Sequence, residues 1–144
     1  MKSKLVWAAE RTFVLVLDPG DEALAAITRF AVEAGLKAAS LTATGAFERA
    51  TVGWFDLKRR AYRPIPIEEQ CEALSLIGEI AIADDGTPSL HAHAVLGLSD
   101  GATRGGHLLR AIVRPTLEVT LVETPTQLHR RRRPELGLAL IDLA

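Results

Sequence analysis

Turn-forming residues cut most of this chain into short β-rich runs, and that punctuation constrains its fold more than any other feature. The runs are Ala38 to Thr44, Thr51 to Leu57, Glu72 to Ala83, Leu90 to Leu98 and Leu117 to Glu123. Between them lie Gly45 near Glu48, Lys58-Arg59-Arg60, Asp84-Asp85-Gly86 with Pro88, Ser99-Asp100-Gly101 and Arg114-Pro115. Such residues supply the fixed or positive φ angles and the short side-chain hydrogen bonds that tight turns need. Asp85-Gly86 between two strand-like runs is a hairpin signal. An earlier run, Arg11 to Leu17, is stopped by Asp18-Pro19-Gly20. The one helical stretch follows: Asp21 is placed to cap it, Leu24, Ile27, Ala31 and Ala34 recur at helical spacing, and Gly35 stands where a left-handed residue ends a helix. Leu136 to Leu143 suits either a closing strand or a short helix. An early helix packed on many strands predicts an α+β fold, a single domain over residues 1–144 with a largely antiparallel sheet.

A chain of 144 residues is long enough to bury a core without disulfide staples. Its formal net charge of -1 gives no whole-protein attraction to nucleic acid or to an acidic membrane, so such binding would need a local patch. The single cysteine, Cys71, lies in an apolar run and reads as a buried, inert thiol, which suits a reducing cytoplasm. Lys2 and Lys4 precede Leu5-Val6-Trp7-Ala8-Ala9, but Glu10 and Arg11 end that apolar run too early for an export signal. No run approaches the ~20 apolar residues that span a bilayer. Ala73-Leu74-Ser75-Leu76-Ile77 and Ala92, Ala94, Val95 and Leu96 read as strands buried on both faces. One helix can hardly cover both faces, so oligomerisation is expected to supply the rest.

Three of the four histidines fall in one short segment, as His91-Ala92-His93 and Gly105-Gly106-His107. Residues two apart on a strand point the same way, so both imidazoles of His-x-His can reach one ion. A third histidine completes a donor set suited to zinc and other late divalent metals, with a fourth position open. All three must be neutral to bind, so affinity should fall as pH drops through the ordinary histidine range near ~6.5. The same residues also suit a half-buried strand whose histidines are satisfied by backbone, with His107 in a loop.

The order Leu90-His91-Ala92-His93-Ala94-Val95, Asp100-Gly101, Gly105-Gly106-His107-Leu108-Leu109, Val113 and Thr116-Leu117-Glu118-Val119 resembles the Plants-and-Prokaryotes-Conserved domain family. Upstream, Thr44-Gly45-Ala46-Phe47, Val52-Gly53-Trp54-Phe55-Asp56 and Leu76-Ile77-Gly78-Glu79-Ile80 extend the likeness over nearly the whole chain. The resemblance implies an α+β domain that assembles as a homotrimer. It also implies a divalent metal, zinc first, held by His91, His93 and His107. In plants the domain is joined to AT-hook segments that read the minor groove, and free-standing prokaryotic members carry a DNA-binding label by association.

This chain departs from that pattern in two places. Arg130-Arg131-Arg132-Arg133-Pro134 lacks the glycine of an AT-hook core, so it reads as an exposed turn or solvated basic patch beside its weaker reading as a phosphate contact. Where plant domains carry Gly-Arg-Phe-Glu-Ile-Leu, this chain aligns Glu69-Gln70-Cys71-Glu72-Ala73-Leu74. Glu118 is the candidate second-shell partner or general base beside a metal, with a salt-bridged or interface glutamate as its plain alternative. Lys58-Arg59-Arg60 reads as a hairpin tip, and His129 as exposed. No phosphate-cradling glycine loop, nucleophile elbow or catalytic triad occurs. Two readings therefore stand: a trimeric DNA-binding or regulatory module with a three-histidine site, or a metal-dependent enzyme acting on a small molecule there.

Overall fold

The computed structural model describes residues 1–7 and 11–143. Nine strands and one helix follow one another as β1 (Lys2–Trp7), β2 (Thr12–Leu17), α1 (Ala23–Glu33), β3 (Ala39–Asp56), β4 (Ala61–Ile67), β5 (Cys71–Ile82), β6 (Pro88–Gly97), β7 (Thr103–Glu123), β8 (His129–Arg133) and β9 (Leu138–Asp142). They form one sheet along the path β1-β2-β7-β3-β5-β8-β9, with β4 on β3 and β6 on both β5 and β7. Every strand pairing among the described residues is antiparallel except a single parallel bridge, Ile82 to His129. The α+β architecture with a largely antiparallel sheet is thus the one the punctuation predicts. Ala8, Ala9 and Glu10, where the N-terminal apolar run is cut short, lie outside the described residues. No helix among the described residues is long and apolar enough to cross a membrane.

Pairings β3–β5, β5–β6, β6–β7 and β7–β3 make a closed circuit, so the middle of the sheet curls on itself. Two long strands make this curvature possible, and both differ from the sequence reading. The two runs, from Ala39 to Thr44 and from Thr51 to Asp56, belong to one strand, β3, and Gly45 is a register shift inside it rather than a turn. A Cβ at Gly45 would lie 2.3 Å from the Thr116 carbonyl oxygen at a φ of +148°, so only glycine lets β3 and β7 meet there. Similarly, β7 runs through Arg114-Pro115 as one strand with shifted register. Two further strands had no clear signal: β1, and β4, whose Pro64 and Pro66 mask it but are tolerated because β4 pairs on one side only.

The core lies under α1 and inside the curl, where Leu15, Leu17, Ile27, Leu36, Phe47, Leu76, Leu96, Leu108, Leu117 and Leu121 are almost wholly buried. Each such side chain contributes roughly 1.5–3 kcal/mol from burial. The helix buries Ala23, Ala26, Ile27, Phe30 and Ala31, so Phe30 joins Ile27 and Ala31 of the expected face. Its N-cap is Glu22 rather than Asp21. The Glu22 carboxylate accepts from the Ala25 and Ala111 amides, whereas the Asp21 carbonyl already accepts from Val113 and holds that residue outside the helix. Gly35 ends α1 at a φ of +65°, as expected. Cys71 is buried, which pushes its thiol pKa up, with the nearby Glu69 charge adding to the effect.

Candidate metal centre

Two tight hairpins assemble the site. The Asp84–Thr87 turn pairs β5 with β6 so that Glu79 lies directly opposite His91, and the Ser99–Ala102 turn pairs β6 with β7 so that His93 lies directly opposite His107. Along β6 the residues Ala92, Ala94 and Leu96 are buried while His91 and His93 point to the other face. Gly106 makes room for the third histidine: a Cβ there would sit 2.5 Å from the Gly53 carbonyl oxygen, so its absence lets β7 close onto β3 beside His107.

Imidazole centroids are 5.0 Å apart for His91 and His93, 5.0 Å for His91 and His107, and 5.4 Å for His93 and His107. One ligand atom from each lies within 4.8 Å of the others, an arrangement that could hold a metal ion. His107 stacks on Tyr62 at 4.5 Å, and Tyr62 meets Phe55 edge-on at 5.1 Å, so the third imidazole is clamped from one side. Burial lowers the His107 pKa to about 4, with the His91, His93 and Arg130 charges acting in the same direction. Burial lowers that of His93 too, with His91 adding and Glu79 opposing. Both rings therefore stay neutral below the ordinary histidine range, which is the state a metal ligand requires.

Glu79 is the acidic group at the site. Its Oε1 lies 3.0 Å from His91 Nδ1, and a carboxylate can only accept, so Nδ1 carries the proton and a neutral His91 keeps its Nε2 lone pair free. Burial works against the Glu79 charge, but hydrogen bonds and charge from His91 and Arg130 hold its pKa below the ordinary range. Glu118 stands elsewhere: it pairs with Thr44 and Val16 and lines a separate shallow depression with Leu74, Leu76 and Ile77. The sequence held a signal for Glu79 that the motif reading passed over. It is as far before Asp85 in the turn as His91 is after that residue.

The arginine run is neither a turn nor a solvated patch throughout. It is strand β8, and Arg130 is buried, bonded to Glu79 and, at 3.1 Å, to the Ala139 carbonyl. Arg131 pairs with Asp84 and Asp142, and Arg133 with Asp142. Arg132 is exposed, its backbone amide bonded to Asp84. Leu136–Leu143, left open between helix and strand, contains strand β9, whose Leu138, Ala139 and Leu140 wall a cleft of about 540 Å³ beside the three histidines.

The residues present fit a metal. His107 Nδ1 is buried and has no hydrogen-bond partner, and a buried polar atom left so costs about 1–3 kcal/mol. Coordination of a nearby cation by these imidazoles matches the chemistry of the donor set.

The family model described as the Plants and Prokaryotes Conserved (PCC) domain matches residues 6–125. Among solved structures, a plant- and prokaryote-conserved (PPC) protein of Pyrococcus horikoshii is 28% identical, with a TM-score of 0.87 over 99% of this chain and 96% of that one. A protein of Archaeoglobus fulgidus named as metal-containing is 32% identical, with a TM-score of 0.86 over 99% of both chains. A candidate DNA-binding protein of Bacteroides thetaiotaomicron is 27% identical, with a TM-score of 0.89 over 97% of this chain and 96% of that one. No curated protein matches the chain significantly.

Proposed function

Because this chain belongs to the Plants and Prokaryotes Conserved (PCC) domain family, we propose that it is a metal-centred binding module of that family, with one divalent ion held by His91, His93 and His107. The observation that carries this reading is the convergence of three ligand atoms within 4.8 Å of one another. The unpartnered Nδ1 of His107 and the metal-containing relative support it. Zinc is the first choice of ion, since it accepts three imidazoles and leaves a position for water or a ligand. When bound, the ion would supply Lewis acidity at that open position. The chain's own residues do the rest: Glu79 fixes the His91 tautomer, Tyr62 holds the His107 ring, and Leu138 and Leu140 line the cleft beside them. Metal analysis of protein purified without chelator should find about one equivalent per chain and, in His93→Ala, less than about a tenth of that. Equal metal in the two proteins would sink the assignment.

The module is a homotrimer in this reading. Leu74, Ile77 and Val95 stay 54%, 58% and 43% exposed in the single chain, on strands whose sequence is apolar enough to demand cover on both faces. Burying such residues between copies is the ordinary remedy. Sedimentation velocity should show a species of about 46.5 kDa, three times 15.5 kDa, and a 15.5 kDa species at micromolar concentration would remove the trimer.

DNA is the partner that the Bacteroides relative's name supports. In this chain the arginine run adds little to it, because three of its four side chains engage internal acceptors. The cleft of about 540 Å³ beside the histidines favours a second reading, metal-dependent chemistry on a small molecule.

A further inference from the structure

We propose that the C-terminal hairpin, β8 and β9, is part of the metal centre, with Arg130 a positioning residue that holds Glu79 against His91. This rests on the three-histidine reading above. Arg130 is the one buried charged residue among those described, only 7% exposed. Its Nη2 donates to Glu79 Oε1, the same oxygen that accepts from His91 Nδ1 at 3.0 Å, and its Nη1 donates to Ala139 at 3.1 Å. A single carboxylate oxygen thus sits between a guanidinium from the hairpin and an imidazole of the site.

Stability alone does not account for this arrangement. Burying the Arg130 guanidinium costs hydration that its pairing with the 38% exposed Glu79 carboxylate only partly repays. Arg130 also leaves its Nε buried without a partner, a further cost to stability. What the arrangement does provide is orientation. The Glu79 side chain is 38% exposed and could otherwise rotate into solvent, and the guanidinium fixes its Oε1 against His91 Nδ1–H. Outer partners of this kind set the tautomer and direction of a ligating imidazole. The hairpin is well placed to act in this way: it meets β5 at the Ile82–His129 bridge and lays Leu138 and Leu140 along the histidine cleft.

Zinc affinity, measured by competition with a chromophoric chelator, should fall about 10- to 100-fold in Arg130→Met and by a similar factor in Glu79→Gln. The double variant should be no worse than the weaker single, since both remove one relay. In metal-free wild type, long-range 15N–1H spectra should show a protonated His91 Nδ1, and Arg130→Met should shift the ring toward a mixture of tautomers. Arg130→Lys, which keeps the charge and is the gentler change for folding, should recover part of the affinity. Unchanged zinc affinity and an unchanged His91 tautomer in Arg130→Met, with only a lower melting temperature, would overturn the proposal and leave a structural ion pair. A wild type that binds no zinc would remove the parent reading instead.

Discussion

Stripping the metal with a chelator will lower the thermal midpoint of the wild-type protein by about 10 °C, and His107→Ala will not respond to the chelator at all. A ligand that binds only the folded state stabilises it by RT ln(1 + [L]/Kd), about 4 kcal/mol when free metal stands at 1,000 times Kd. For a chain of this size, each kcal/mol moves the midpoint by roughly 2–4 °C. The three imidazoles belong to two neighbouring strands, β6 and β7, so the unfolded chain keeps only the His-x-His pair and binds weakly. In the proposed site, His107 is the residue whose loss should matter most. Burial lowers its pKa to about 4, and it carries the unpartnered Nδ1. Calorimetry of wild type and variant, each with zinc and with chelator, checks this. A wild-type midpoint that chelation leaves unmoved would mean that the histidines hold no ion that matters to folding.

Much of the site can be worked out from two turns. Strand pairing in a hairpin is symmetric about its turn, so Ser99-Asp100-Gly101 sets His93 opposite His107, and Asp84-Asp85-Gly86 sets Glu79 opposite His91. The first pair was visible as a ligand motif because histidines draw attention. The second was equally encoded but carried no motif. The long strands were harder for a physical reason: Gly45 and Arg114-Pro115 carry turn chemistry, and only the contact between β3 and β7 decides that the chain passes through them as bulges. Arg130 lay beyond local reading altogether. Its partner Glu79 is 51 residues away, and nothing in a run of four arginines says which one turns inward.

Gly106→Ala should both weaken the fold by about 2–3 kcal/mol and reduce zinc affinity about tenfold or more. A single methyl group produces both effects because of where it points. Its nearest neighbours are the carbonyl oxygen, carbonyl carbon and nitrogen of Gly53 at 2.5, 3.2 and 3.4 Å, and backbone in a paired strand cannot swing aside as a side-chain tip can. Ordinary contact begins at 3.4 Å, so β7 must retreat from β3 by roughly 0.9 Å at the residue next to His107. Metal ligands tolerate displacements of only about 0.5 Å before geometry fails. The neighbouring substitution Gly105→Ala is the control: its Cβ would lie 3.1 Å from the Ala94 carbonyl oxygen, a contact that a few tenths of an ångström relieve. Urea unfolding with parallel zinc titration of the two variants tests the ordering. Equal losses in both would show that the approach of β7 to Gly53 is not what places His107.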